Sequence, residues 1–314
     1  MSGLLPPSLV VLAAFAVDML VGDPRWLPHP VVLMGRAIRR LEELLRRTGL
    51  PLRLAGALLA LFLVGGAWLA TWAVIQACVW LHPVAGALAH VWLFSTTLAP
   101  RSLAEHAMAV YRPLVAGDLL QARERVGWIV GRDTQDLSET EVVRAAVETV
   151  AESTCDGVLA PLFWGLVGGA PLAMAYKAAN TLDSMVGHLD ERYREFGWAS
   201  ARLDDLLNLV PARLSALLLA AAALSGRALA TAWRDARRHP SPNSGWSEAA
   251  VAGALGVRLG GLNYYDGEPE MRAYMGDALR PLEPADIPRA VRLMYLAAAM
   301  AVALGALVLY LTGR

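Results

Sequence analysis

LAGALLALFLVGGAWLATWAVIQACVWL, residues 54–81, runs without a charged side chain and is interrupted by nothing stiffer than Gly56, Gly65 and Gly66. About 20 apolar residues of helix match the hydrocarbon core of a bilayer. This stretch therefore reads as a membrane-spanning helix, long enough to tilt. Working outward, Leu4–Val21 qualifies more weakly, with Pro6, Pro7 and Asp18 inside it. His82-Pro83 breaks the chain before Val84–Leu98, which reads as a return span, and Leu293–Leu311 is an uninterrupted C-terminal one. Val158–Tyr176 carries Pro161, Gly165, Gly168, Gly169 and Pro171, and Leu206–Leu224 carries Asn208, Pro211 and Arg213. The expected fold class is all-α: a polytopic integral membrane protein with broken or re-entrant helices and amphipathic cytoplasmic helices.

Composition agrees. The 314 residues are 56% hydrophobic and 18% charged, against about 25% charged in a typical soluble domain. Net charge is zero, so nothing argues for a nucleic-acid partner. Lys177 is the single lysine. Cys78 and Cys155 lack the spacing of a disulfide framework or zinc site. The first apolar run has no basic residues before it and contains Asp18, so it reads as a span rather than a cleavable leader. No polar linker divides the chain, which predicts a single domain over 1–314.

Arginines orient the spans. Arg25, Arg36, Arg39, Arg40, Arg46, Arg47 and Arg53 place the first loop in the cytoplasm, and the 54–98 hairpin returns the chain there for Arg101–Arg144. Within that stretch Leu103, Ala107, Val110 and Leu114 recur at helical spacing. Beyond it the rule conflicts with itself, because a spanning Val158–Tyr176 would put Arg192, Arg194 and Arg202 outside. Broken helices that enter partway and line a cavity resolve the conflict, since irregular backbone is tolerated there. HPSPNSGW, 239–246, reads as a loop before a small-residue helix, Glu248–Val257.

Ionisable groups beside lipid are costly and mark function by default. Glu148, Glu152 and Asp156, at i, i+4 and i+8, share one helical face, with Glu141 further upstream. Such like charges suit a hard divalent ion, or form a solvated acidic face balanced by Arg144. Lys177, Asn180, Thr181 and Ser184 share another face, with Asp183 and His188 at its margin, and offer a cation, hydroxyls and an amide to a phosphate or carboxylate. Packing by small polar residues is the plainer reading of that face. Arg202, Asp204, Asp205, Asn208 and Arg213 repeat the pattern. Asp23-Pro24 and His29-Pro30 lie in extended chain at a membrane surface, as caps or ligands. His106 and Gly131-Arg132-Asp133-Thr134 divide the same way between a turn and a phosphate contact, while His82 and His90 read as structural. Most of the ten tryptophans flank apolar runs, as interface anchors do. No phosphate-binding GxxxxGK[ST] loop, GxGxxG or HExxH is present.

At these residues the chain closely resembles the CobD/CbiB family of cobalamin biosynthesis, the adenosylcobinamide-phosphate synthases. The likeness is carried by GDPRWLPHPV at 22–31, RSLAEH at 101–106, GRDT at 131–134, and ETVAESTCDGVLAP at 148–161. It continues through YKAANTLDSMVG at 176–187, FGWASARLDDLLNLVPAR at 196–213, HPSPNSG at 239–245 and LGGLNYY at 259–265. The resemblance implies a multi-pass enzyme of the bacterial inner membrane with its site facing the cytoplasm. It would join (R)-1-amino-2-propanol, or its O-phosphate, to the f-side propionate carboxylate of adenosylcobyric acid, giving cobinamide or its phosphate. ATP and Mg²⁺ are the implied cofactors, the corrinoid is a substrate, and other enzymes of the pathway are candidate partners.

On that reading Glu148, Glu152 and Asp156 hold the metal. Lys177, Asp183, Asp204 and Asp205 form the catalytic set, with an aspartate taking the ammonium proton. Arg132, Asp133, Asn180, Ser184, Arg202, Asn208, Arg213, His29, Asp23, Asn243 and Ser244 contact substrate or phosphate. Two rival readings stand beside it. One is a Mg²⁺-dependent membrane transferase, against which the spacing of Asp183 and Asp190 argues. The other is a non-catalytic sensory or corrinoid-handling relative, against which the density of carboxylates argues.

Overall fold

The computed structural model describes residues 5–22, 29–188 and 190–313. Asp23, among the expected contacts, lies outside them. The chain forms twelve α-helices and one β-hairpin among the described residues. Four helical stretches are long and apolar enough to cross a membrane: Leu52–Leu81, the continuous 139–186 stretch, Trp198–Ala222 and Asp286–Leu311. The chain is an all-α, polytopic membrane protein in class. It divides into two compact units, one of Met1–Ala99, Ala160–Asn208 and Val302–Arg314, the other of Pro100–Leu159 and Leu209–Ala301.

In the first unit, α1 (Pro7–Val21) and α2 (Pro30–Arg46) precede α3 (Leu52–Leu81) and α4 (Pro83–Ser95), and α8 (Ala160–Val186) packs beside them. His29 caps α2, its Nδ1 accepting the Val31 N–H at 3.3 Å, and Pro30 fills the first turn, where a missing N–H costs nothing. α4 has 13 residues, shorter than the expected return span and too short to cross a bilayer alone.

α3 is apolar all round but buries one stripe, including Ala55, Gly56, Leu59, Ala60 and Leu63. Leu61, Phe62, Leu69 and Trp72 point outward and are exposed. A helix with large apolar side chains turned outward is matched to lipid, not water. Between lipid-facing helices, small residues permit close packing. Gly56 shows this directly, since a Cβ there would lie 1.8 Å from the Phe196 carbonyl oxygen. Gly56→Ala is therefore expected to cost about 1–3 kcal/mol by overpacking, seen as a lower unfolding temperature in detergent; an unchanged value would contradict this packing.

α8 is broken as its glycines and proline predict. Gly168 and Gly169 leave helical geometry, Gly169 with φ of 69°, ahead of Pro171. The His90 Nε2 accepts the Ala170 N–H at 3.0 Å, closing the gap in the helical ladder. His90 is thus structural. A cavity of about 580 Å³ lies beside the break, lined among others by Val10, Ile75, Gln76, His90 and Phe94.

The second unit contains α5 (Pro100–Val115), α6 (Leu119–Val126), α7 (Glu139–Thr154), a π-helical turn at Cys155–Leu159, α10 (Gly226–Asp235) and α11 (Ser244–Leu255). It also takes the later part of α9 (Trp198–Ala222) and the earlier part of α12 (Asp286–Leu311). Ser138 and Glu141 form a reciprocal capping box at the start of α7. Glu141 is therefore a cap rather than an outlying member of an acidic stripe. α11 was expected over 248–257 and begins four residues earlier.

The hairpin was not foreseen. β1 (Leu259–Tyr265) pairs antiparallel with β2 (Glu268–Met275), with an irregularity between Leu259 and Gly261. Gly260 requires glycine on two counts: its φ is 83°, and a Cβ would lie 2.2 Å from the Ala273 carbonyl oxygen. The kink turns the Gly260 N–H toward α7, where Glu148 accepts it at 2.7 Å.

Candidate active site

The second unit carries a dense cluster of buried charge. Glu148, on α7, forms ion pairs with Arg132 and Arg144, and all three side chains are about nine-tenths buried. Arg144 Nη1 also donates to Gly260 O at 2.8 Å, while its Nη2 reaches Leu262 O and Asn263 Oδ1, both at 3.0 Å. Arg132 donates to the same Asn263 oxygen. Two guanidiniums, one carboxylate and one amide thus bind the hairpin to α7. Asp133 extends the join: its N–H donates to Tyr264 O and its carboxylate accepts the Gly267 N–H, both at 2.8 Å.

Two expectations change here. The metal reading for Glu148, Glu152 and Asp156 does not fit the donor set. Glu148 is occupied by two arginines and a backbone N–H. Asp156 lies in the π-helical turn that opens at Cys155. Among the described residues no group of three His, Cys, Asp or Glu side chains is placed to hold a metal. The solvated alternative fails too, because Arg144 balances Glu148 in the interior. Arg132 and Asp133, expected at a phosphate, are engaged in anchoring the hairpin.

One turn along α7 from Glu148, Glu152 accepts from the Ser244 hydroxyl at 3.1 Å. Ser244 opens α11 after a loop that is held by its own side chains. The Ser241 N–H donates to His239 Nδ1 at 3.0 Å, and Ser241 Oγ accepts from the backbone N–H groups of Asn243 and Ser244. Arg213, from α9, donates to Asn243 Oδ1 at 2.7 Å and stacks on the Trp246 ring at 4.9 Å. Arg237 is close enough to repel it electrostatically. This brings together four expected residues, Glu152, Arg213, Asn243 and Ser244.

Behind them sit His239, Glu248 and Arg272, which the sequence reading missed. The His239 and Glu248 side chains are each 7% exposed, with Nε2 and Oε1 3.5 Å apart. Burial, and then the charges of Glu152 and Glu148, push the Glu248 carboxyl well above the ordinary glutamate range. Burial also lowers His239. The sequence offers one signal for Glu248, the lone acid in SGWSEAAVAGAL at 244–255; the structure buries Ser244–Gly253 along its whole length, where a carboxyl needs a compensating environment.

These shifts carry a sign. Above the ordinary glutamate pKa the unfolded chain releases the Glu248 proton while the folded chain keeps it, so stability falls as pH rises toward the raised value. His239 acts oppositely, adding stability as pH rises through the interval between its lowered value and 6.5. Glu248→Gln removes the first effect. Its melting temperature should fall less steeply with rising pH than that of the wild type; parallel curves would show that Glu248 titrates normally.

The first unit holds the other expected residues. Asp204 accepts from Asn180 Nδ2 at 3.3 Å and from Asn208 Nδ2 at 3.0 Å, and Asn208 Oδ1 accepts the Tyr176 hydroxyl at 2.9 Å. Tyr176 and Asn208 are buried, so this is an interior chain of polar groups spanning α8 and α9. Arg202 and Asp205 form a half-exposed ion pair at 3.3 Å. Lys177 and Asp183 are both half-buried on α8, and the Ser184 hydroxyl donates to Asn180 O at 2.9 Å. The face read from Lys177 to Ser184 exists as a helix face, and it brings Asn180 to Asp204.

With this geometry in hand, the comparisons are specific. A model of the CobD/Cbib protein family matches residues 11–294. The chain is 54% identical over 305 residues to the cobalamin biosynthesis protein CobD of Geobacter metallireducens, covering 95% of each chain. It is 50% identical over 299 residues to CobD of Klebsiella pneumoniae and to the cobalamin biosynthesis protein CbiB of Salmonella typhimurium, covering 93% of this chain and 94% of each relative. No solved structure matches it. The class defined by the fold is a polytopic membrane protein with a buried, charge-rich interior. Within that class the chain belongs to the CobD/CbiB family.

Proposed function

We propose that the protein acts in cobalamin biosynthesis as an amide ligase, joining 1-amino-2-propanol or its O-phosphate to the f-side propionate carboxylate of (adenosyl)cobyric acid. The observation that carries this is the likeness, at 50–54% identity over nearly the whole chain, to relatives named for cobalamin biosynthesis. The chemistry of the interior is compatible. A carboxylate is a poor electrophile at neutral pH, so the reaction needs activation by a nucleoside triphosphate, with phosphate as the leaving group.

Arg213 and Arg237, with the Asn243 amide beside them, offer like charges that a phosphate would relieve. Ser244 and Glu152 stand next to that pair on the adjoining elements. In the first unit, Asp204 with Asn180 and Asn208 supplies a fixed acceptor for amide or ammonium donors, of the kind that line a corrin's rim. The reaction side faces the cytoplasm of the bacterial inner membrane, where the nucleotide is, and neighbouring enzymes of the pathway deliver the corrinoid. Glu148 and Glu152 of α7 are engaged by Arg132, Arg144 and Ser244, so we assign no protein ligand to the Mg²⁺ that accompanies the nucleotide.

Purified protein incubated with cobyric acid, ATP, Mg²⁺ and aminopropanol phosphate should yield the mass of the amide. Recovery of both substrates unchanged, with the protein folded and the nucleotide intact, would refute the proposal.

A further inference from the structure

Gln76 is an amide inside the uncharged run of α3. It is half-buried, lines the cavity beside the α8 break, and hydrogen-bonds to none of the described residues. His90 lines the same cavity. Its Nε2 already accepts the Ala170 N–H, so the neutral ring carries its hydrogen on Nδ1. No described residue accepts that hydrogen. Polar groups beside lipid are costly to leave without partners. An amide and an N–H donor lining one cavity therefore point to a guest that carries a hydrogen-bond acceptor.

The rest of the lining defines the guest. Gln76 and His90 are the polar side chains among the described lining residues, and none of those residues is charged. The volume of about 580 Å³ falls within the range of about 300–1,000 Å³ that ligand pockets occupy. Val79, Pro83 and Val167 border the cavity and are exposed, so it opens to the outside of the helices. These features fit a hydrocarbon chain with one uncharged acceptor, entering from the surrounding lipid.

Depth agrees. The 30 residues of α3 make it about 45 Å long, while the hydrocarbon core is about 30 Å thick. A centred α3 overhangs that core by about 7–8 Å at each end. Gln76, five residues before Leu81, lies at about that distance from the end of the helix. The edge of the hydrocarbon core is where the glycerol ester carbonyls of phospholipids lie. Pro7, Pro83 and Leu309 place the same cavity at the first turns of α1 and α4 and the last turn of α12. This is the end of the unit away from the arginine-rich segment that joins α1 to α3.

We propose that the cavity is a phospholipid site: one acyl chain fills it, and the ester carbonyl of that chain accepts hydrogen bonds from the Gln76 amide and His90 Nδ1–H. His90 then ties the lipid to the broken helix, because its other nitrogen holds the Ala170 N–H.

The test uses phosphatidylethanolamine with a photoreactive diazirine on one chain, in an ester-linked form and in an ether-linked form that lacks the carbonyl. The full chain in nanodiscs is illuminated with a trace of each probe, and adducts are mapped by peptide mass spectrometry. The ester probe should label residues 75–90 and 165–169 more strongly than the outward face of α3 around Leu61 and Leu69. The ether probe should label them about fivefold less or lower still, the worth of a hydrogen bond. Gln76→Leu should cut labelling by the ester probe about fivefold and leave the ether probe unchanged. Ala87→Phe, which fills the cavity, should remove labelling by both. Equal labelling by the two probes would reduce the cavity to ordinary lipid contact and overturn the proposal. Labelling no stronger than on the outward face of α3 would overturn it too, as expected of a water-filled cavity. If Ala87→Phe does not fold, the Gln76→Leu comparison decides alone.

Discussion

Glu148→Ala is expected to destabilise the protein more than any other single substitution considered. Arg132 and Arg144 are both buried and share this carboxylate. Taking one partner from a buried ion pair leaves uncompensated charge inside and costs about 3–5 kcal/mol. Here two guanidiniums are stranded, and the Gly260 N–H loses its acceptor as well. A drop of roughly 10 °C or more in the detergent melting temperature should follow, together with protease sensitivity in the 259–275 hairpin. Glu148→Gln keeps an acceptor for Gly260 and should lose less. Equal stability of the alanine variant and wild type would mean that the hairpin is held by other contacts.

Asp204→Ala is the second large effect. The carboxylate ends a chain running from Tyr176 through Asn208, and it accepts from Asn180 as well. Without it two amide groups lose their acceptor, one of them on a residue only 1% exposed. A buried donor left unsatisfied costs about 1–3 kcal/mol. Amide formation should fall beyond what the lost stability explains, because on the proposed reading the same carboxylate orients substrate donors. Asp204→Asn separates these contributions, since it preserves volume and removes the charge. If the asparagine variant were fully active, Asp204 would be structural only.

The membrane character was legible from residues 54–81 alone, because the length of an uncharged run is a direct readout of bilayer thickness. The α8 break was equally readable from Gly168, Gly169 and Pro171, whose backbone preferences are local. What escaped was set by distant partners. LGGLNYY contains two glycines, and EPEMRAYM contains proline and charges, so neither shows the alternation of a half-buried strand. The hairpin is defined instead by Arg144, Glu148 and Asp133, which lie more than a hundred residues away in sequence. The acidic stripe is broken at Glu148, which Arg132 and the Gly260 N–H occupy, partners that spacing along α7 does not reveal. Glu248 looked like one acid in a small-residue helix, and its meaning comes from His239, Glu152 and Arg272 around it.

Oxygen transfer offers the most direct test of the proposed chemistry. Cobyric acid labelled with ¹⁸O in its free propionate carboxylate, turned over with ATP and aminopropanol phosphate, should place one labelled oxygen in the released phosphate for each amide formed. Amide formed with unlabelled phosphate would show that the carboxylate is never phosphorylated and would contradict the account.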